Sequence, residues 1–216
     1  MVPEPVRRTV VKVCGLTRLE DARAAIEAGA DWLGFVVRGG TERHLEPEAA
    51  AAIIAALPDV TAVAVMVAPG PDEALATARA IGARRIQVHR VDPSEWPRGF
   101  PMPVAFAVPV AADGRLTGRL PSVNDLVLLD TAHETKAGGT GMSFPWDTAV
   151  ALAARRPVML AGGFDPDNVA LAVDRVRPFG VDASSRLEAA PGIKDHELVR
   201  RFVAAVRRQD AGRGAA

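Results

Sequence analysis

The chain predicts an α/β fold, a single-domain (β/α)8 barrel of the TIM type, and three features carry that expectation. Short, almost wholly apolar runs recur about every 20 to 30 residues. They lack the polar alternation of half-exposed strands, as parallel strands covered on both faces should. Alanine-rich or amphipathic stretches with helix-start signals separate them, and 216 residues, 49% hydrophobic, suffice for one sizeable core.

Taken in order, strands are expected at residues 10–13, 32–37, 62–67, 85–88, 104–108, 126–129, 157–161 and 179–183. After the first, Thr17-Arg18-Leu19-Glu20 reads as a capping box and Gly29 as the end of the helix. Glu46-Pro47-Glu48 and Pro71-Asp72-Glu73 open the second and third helices, placing acidic residues at the positive end of the dipole. Asp165-Pro166-Asp167 repeats that opening, and the last helix spans Lys194 to about residue 207. Residues 111–124, between the fifth and sixth strands, are rich in Gly and Pro, so the fifth helix is expected to be short, irregular or missing. The barrel is placed at residues 1–208, with a small, polar, disordered tail at 209–216. An open doubly wound sheet is the structural alternative, but Gly139-Thr140-Gly141 follows no first strand and lacks the dinucleotide-binding spacing.

Lys+Arg and Asp+Glu each number 26, so no chain-wide field favours nucleic acid or an acidic membrane, and any anion site must be local. The apolar run between Arg8 and Lys12 is too brief for a secretory signal, and no stretch of about 18 uncharged apolar residues exists to span a membrane. Cys14 is the only cysteine, which excludes an intramolecular disulfide and fits a reducing, cytoplasmic compartment. His44, His89, His133 and His196 are scattered, so no metal is expected. Periodicity leaves monomer and homodimer both open.

Barrel chemistry sits at the C-terminal ends of strands and in the loops that follow. That rule selects Cys14 after the first strand, Arg43 after the second, Gln87 and His89 at the end of the fourth, and Asp130 at the end of the sixth. It also selects Gly162-Gly163 after the seventh and Ser184-Ser185 after the eighth. A cysteine there can be a base or nucleophile if something favours its thiolate, Lys12 or a helix N-terminus being the available sources; otherwise it is an inert small hydrophobe. Asp130, after four apolar residues, is either a general acid with a shifted pKa or a helix cap. Gly162-Gly163 lets backbone approach a ligand closely, and with Ser184 and Ser185 makes the seven–eight pairing that barrels use for phosphate; turn chemistry is the other reading. Arg43 offers a planar fork for a carboxylate or is a solvated loop charge. Gln87 and His89 share a face, as ligands or as a satisfied polar layer.

Lys12-Val13-Cys14-Gly15-Leu16-Thr17 closely resembles the opening signature of phosphoribosylanthranilate isomerases. Gly29–Phe35, Leu128-Leu129-Asp130-Thr131, Gly138–Trp146, Ala161–Val169, Gly180–Ser185 and Pro191-Gly192-Ile193-Lys194-Asp195 continue the likeness in order along nearly the whole chain. The resemblance implies a tryptophan-biosynthesis enzyme, without metal or organic cofactor, whose partner is a small phosphosugar: N-(5'-phosphoribosyl)anthranilate. It implies that Asp130 protonates the furanose oxygen to open a Schiff base, and that Cys14 removes the C2′ proton. The product would be 1-(2-carboxyphenylamino)-1-deoxyribulose 5-phosphate. Arg43 would face the anthranilate, and Gly139, Gly141, Gly162, Gly163, Ser184 and Ser185 would hold phosphate.

Three segments depart from the family pattern. Gly40-Thr41-Glu42-Arg43-His44-Leu45 keeps the arginine without the usual flanking Ser-Pro and aromatic residues, while Arg90 and Arg186 stand where glycine is usual. Arg186 either adds a charge beside the phosphate or crowds it, and a positive φ there would strain an arginine. The competing readings are an isomerase of a different aminosugar phosphate and a catalytically silent phosphosugar-binding barrel.

Overall fold

A computed structural model describes residues 8–131 and 146–214. The eight apolar runs form parallel strands in a closed barrel, ordered as in the chain, β8 returning to β1. They are β1 (Val10–Val13), β2 (Trp32–Arg38), β3 (Thr61–Val67), β4 (Arg85–His89), β5 (Val104–Val110), β6 (Leu126–Thr131), β7 (Val158–Leu160) and β8 (Gly180–Ala183). Lys12 of β1 lies in register with Asp182 of β8 on one side and with Trp32 of β2 on the other.

Because side chains alternate along a strand, each run divides between two cores. Val11, Val13, Leu33, Phe35, Ile86, Val88, Val127, Leu129, Val158 and Leu160 belong to the outer core beneath the helices. Cys14, Trp32, Val63, Ala105, Leu126, Leu128, Met159 and Ala161 form the inner one. The barrel axis is filled at its N-terminal end, where Trp32 packs against Phe179 at 5.7 Å and Arg85 lies 4.3 Å over the Trp32 ring.

The outer layer comprises α1 (Leu19–Glu27), α2 (Pro47–Ala55), α3 (Pro71–Ala80), α4 (Asp147–Ala153), α5 (Val169–Val176) and α6 (His196–Gly214). No helix follows β5, as the Gly/Pro composition predicts. Arg156 holds that connection instead, donating to the carbonyls of Pro121, Ser122 and Asp125 at 3.0, 2.6 and 2.8 Å. The interval after β4 is also helix-poor, contrary to the strand–helix alternation expected of the chain. It holds one 3-10 turn, Pro93–Glu95, because Pro93, Pro97, Pro101 and Pro103 withhold helix donors. Trp96 covers the strands there, edge-on to Phe100 and Phe106.

Three expectations about helix ends are corrected. Thr17 does not cap α1: its hydroxyl donates to the Gly192 carbonyl, and the N-cap, Arg18, makes no side-chain cap bond. The helix opened by Asp165-Pro166-Asp167 starts only at Val169, since Asp165 Oδ1 accepts from the backbone N–H groups of Asp167 and Asn168 in a turn. The disordered tail placed at 209–216 is helical through Gly214. The reason is a long-range latch: Asp210 accepts from Thr9 N at 3.0 Å and Thr9 Oγ1 at 2.7 Å, while Arg207 donates to the carbonyls of Thr9 and Gly29 and to Asp31. Asp210→Ala strands two donors at the base of β1 and is expected to cost about 2 kcal/mol in a urea-denaturation series.

Arg90 adopts φ +56°, a left-handed conformation that penalises any residue with a Cβ. Arg90→Gly is expected to raise unfolding free energy by about 0.5 to 1 kcal/mol, read as a higher denaturant midpoint. The corresponding strain at Arg186 is absent: it lies in the 3-10 turn Ser185–Leu187, outside the positive-φ residues.

Candidate active site

Alternation places Lys12 and Cys14 on the inner face of β1, since Val11 and Val13 face outward. Both are buried, and the Cys14 N–H donates to the Ala183 carbonyl at 2.9 Å, fixing the strand end against β8. Lys12 Nζ donates to both carboxylate oxygens of Asp182, at 3.0 and 2.9 Å, inside the barrel. Burial works against the Lys12 charge, but Asp182 and Cys14 outweigh it and hold its pKa above the ordinary lysine value. Burial pushes the Cys14 thiol up; Lys12 opposes that rise and Asp182 adds to it.

Gly34 of β2 makes room for this group. A Cβ there would lie 2.7 Å from Cys14 Sγ and 2.9 Å from Lys12 Nζ, so only glycine admits both. Gly15, at φ +70°, does the same one residue after the cysteine: a Cβ would meet Arg43 Cδ at 2.6 Å and Ser184 Oγ at 2.8 Å. The Arg43 stem and the Ser184 hydroxyl therefore converge beside Cys14.

Gln87 and His89 lie on the inner face of β4, their side-chain nitrogens 2.9 Å apart. Burial, then the Lys12 and Arg90 charges, push His89 down to about 4, so at neutral pH it is neutral and can hydrogen-bond without carrying charge. Asp130 is half-buried near the end of β6, on the same alternation as inward-facing Leu126 and Leu128. After β7, Gly162 and Gly163 both take positive φ, +95° and +74°, and the Gly163 carbonyl accepts from Asn168. Ser184 is half-buried and Ser185 exposed at the start of the 3-10 turn. Arg186, also exposed, has Nε 3.8 Å from Asp165 Oδ2, bridging the loops after β7 and β8. Gly139 and Gly141 lie outside the described residues.

Sequence pattern alone assigns no site role to Asp182, Glu188 or Lys194. Asp182 had a visible signal, a carboxylate inside an apolar strand, where burial demands a partner. Glu188 and Lys194 sit on two short antiparallel strands, β9 (Glu188–Ala190) and β10 (Ile193–Lys194), whose length gives no periodicity. Glu188 receives Arg43 Nε at 2.8 Å, Arg43 Nη2 at 2.6 Å and Lys194 Nζ at 2.7 Å.

Comparison with known proteins agrees on one assignment. The family model described as N-(5'phosphoribosyl)anthranilate (PRA) isomerase matches residues 11–205. An N-(5'-phosphoribosyl)anthranilate isomerase of Geobacter sp. (strain M21) is 43% identical over 197 residues, 91% of this chain and 97% of that protein. The phosphoribosyl anthranilate isomerase of Thermotoga maritima superposes with a TM-score of 0.79 at 35% identity, covering 93% of this chain and 99% of that one. Another such isomerase, solved with reduced 1-(o-carboxyphenylamino)-1-deoxyribulose 5-phosphate, gives a TM-score of 0.77 at 33% identity over the same shares.

Proposed function

Since the chain belongs to the phosphoribosylanthranilate isomerase family, we propose that Cys14 and Asp130 are the base and acid of its Amadori rearrangement. The enzyme converts N-(5'-phosphoribosyl)anthranilate to 1-(2-carboxyphenylamino)-1-deoxyribulose 5-phosphate in tryptophan biosynthesis. The observation that carries the assignment of roles is Cys14 on the inner face of the barrel mouth, with Lys12 beside its sulfur.

Ring opening and proton removal at C2′ lead to an enolamine, whose ketonisation completes the reaction. Asp130 delivers a proton to the furanose ring oxygen; the C1′–O bond breaks, the anthranilate nitrogen pair moves in, and an open-chain protonated Schiff base forms. Removal of the C2′ proton by the Cys14 thiolate then sends that electron pair toward the iminium nitrogen, giving an enolamine. Ketonisation of the enolamine yields the aminoketose. Lys12 is the adjacent cation that favours the thiolate, and Asp182 keeps Lys12 in place. Neutral His89, steadied by Gln87, hydrogen-bonds the sugar without adding charge.

The substrate's two anions have separate places. Gly162, Gly163, Ser184 and Ser185 receive the phosphate at the ends of β7 and β8, where positive-φ glycines let backbone donors approach. Gly139 and Gly141 belong to the same proposed set. Arg43 receives the anthranilate carboxylate. Among the described residues no helix is long and apolar enough to cross a membrane. The cytoplasm is the proposed location, on the strength of a reduced single thiol working as base. The biological test is growth: the gene should restore a tryptophan-requiring strain that lacks this isomerase, and absence of growth despite expression would count against the substrate.

A further inference from the structure

Glu188 and Lys194 are buried ionic groups that the proton transfers do not use. Their side chains are 4% and 0% exposed, and they face each other across the β9–β10 pair. Burial alone would raise the Glu188 carboxyl, but the hydrogen bonds and charges of Arg43 and Lys194 outweigh it and hold it below the ordinary range. An ionised carboxylate with both oxygens engaged from two sides is a fixed object. Lys194 Nζ also reaches the Ser184 carbonyl, at 3.2 Å, so the same ammonium ties Glu188 to the loop after β8.

Arg43 completes the chain Lys194–Glu188–Arg43, with its stem across Gly15 next to Cys14. Among the described residues the bidentate grip occupies Nε and one side of Nη2, which leaves the Nη1 edge of the fork for a ligand. Two cations around one carboxylate leave one unit of positive charge uncompensated within the triad. With Glu188 anchored and Arg43 23% exposed, that charge is presented at the open end.

We infer that Glu188 is the positioning residue for aryl-group selectivity, setting the Arg43 fork so that only a substrate carrying an anion beside its nitrogen completes the set. This rests on the reading of Arg43 as the anthranilate contact and extends it to the residues that hold it. It also assigns a function to the Pro191–Asp195 segment: its Gly192 turn, at φ +78°, returns Lys194 to Glu188.

The test compares two probes by calorimetric titration: reduced 1-(o-carboxyphenylamino)-1-deoxyribulose 5-phosphate, and its counterpart lacking the carboxyl. Glu188→Gln is expected to weaken binding of the carboxylated probe about tenfold or more while leaving the other within about twofold. Arg43→Ala should abolish the preference for the carboxylated probe, and Glu188→Gln should add nothing in the Arg43→Ala background. Equal weakening of both probes by Glu188→Gln, with an unchanged thermal midpoint, overturns the inference. So does a Glu188→Gln effect that persists in the absence of Arg43. If Arg43→Ala leaves the preference intact, the reading of Arg43 itself is what fails. Should Glu188→Gln not fold, Lys194→Met removes the support from the other side and must show the same selective loss.

Discussion

Replacing Cys14 by Ala, or Asp130 by Asn, is expected to lower kcat by about 10³-fold or more while leaving circular dichroism and thermal midpoint close to wild type. Each substitution removes one of the two proposed proton-transfer groups. The expected tolerance of the fold has a physical basis. Cys14→Ala deletes only a sulfur beside Lys12 and Gly34, and the Cys14 backbone bond to Ala183 remains. Asp130→Asn keeps the shape of a side chain at the strand end while removing its acidic proton. Single-turnover kinetics separate the two roles: without the acid, ring opening stalls and no Schiff base forms, whereas without the base the open-chain species accumulates. An unchanged rate in either variant would remove that residue from the mechanism.

The second large effect is on stability. Asp182→Asn leaves the Lys12 ammonium, fully buried, without its countercharge, and is expected to destabilise the protein by about 3 kcal/mol at neutral pH. The pH dependence identifies the cause. In the wild type, the folded-state pKa of Lys12 lies above 10.5, so the contribution of the ion pair is fully present below 10.5 and is lost only as pH climbs through the raised value. In the variant, burial dominates and the folded pKa falls below that of the unfolded chain. The unfolded chain then binds more protons, and stability rises with pH across that window. Urea denaturation should therefore show a deficit that shrinks as pH approaches 10.5; a deficit independent of pH would assign the loss to packing.

The strands were legible because a parallel barrel buries both faces of each, which writes them as uninterrupted apolar runs bounded by polar loops. The position of Asp130 at the barrel mouth was legible for a related reason: a polar residue directly after a run such as Leu126–Leu129 marks the C-terminal end of a strand. What escaped depends on partners distant in sequence. From sequence alone Asp210 belongs to a featureless tail, because its bonds run to Thr9, 201 positions away. Thr17 has the composition of a cap, but the Gly192 carbonyl, brought close by the chain's return after β8, takes its hydroxyl. Glu188 reads as an ordinary surface charge until the fold sets Arg43 and Lys194 on either side of it. Lys12–Asp182 lies between these cases, since two opposite charges in separate apolar strands imply a partner but not which one.

The most direct test of the central claim is to give the purified chain N-(5'-phosphoribosyl)anthranilate and follow formation of 1-(2-carboxyphenylamino)-1-deoxyribulose 5-phosphate, with Cys14→Ala in parallel. Conversion by the wild type at a rate the variant lacks is the expected result. No conversion by the wild type, with turnover of a different aminoaldose phosphate instead, would contradict it.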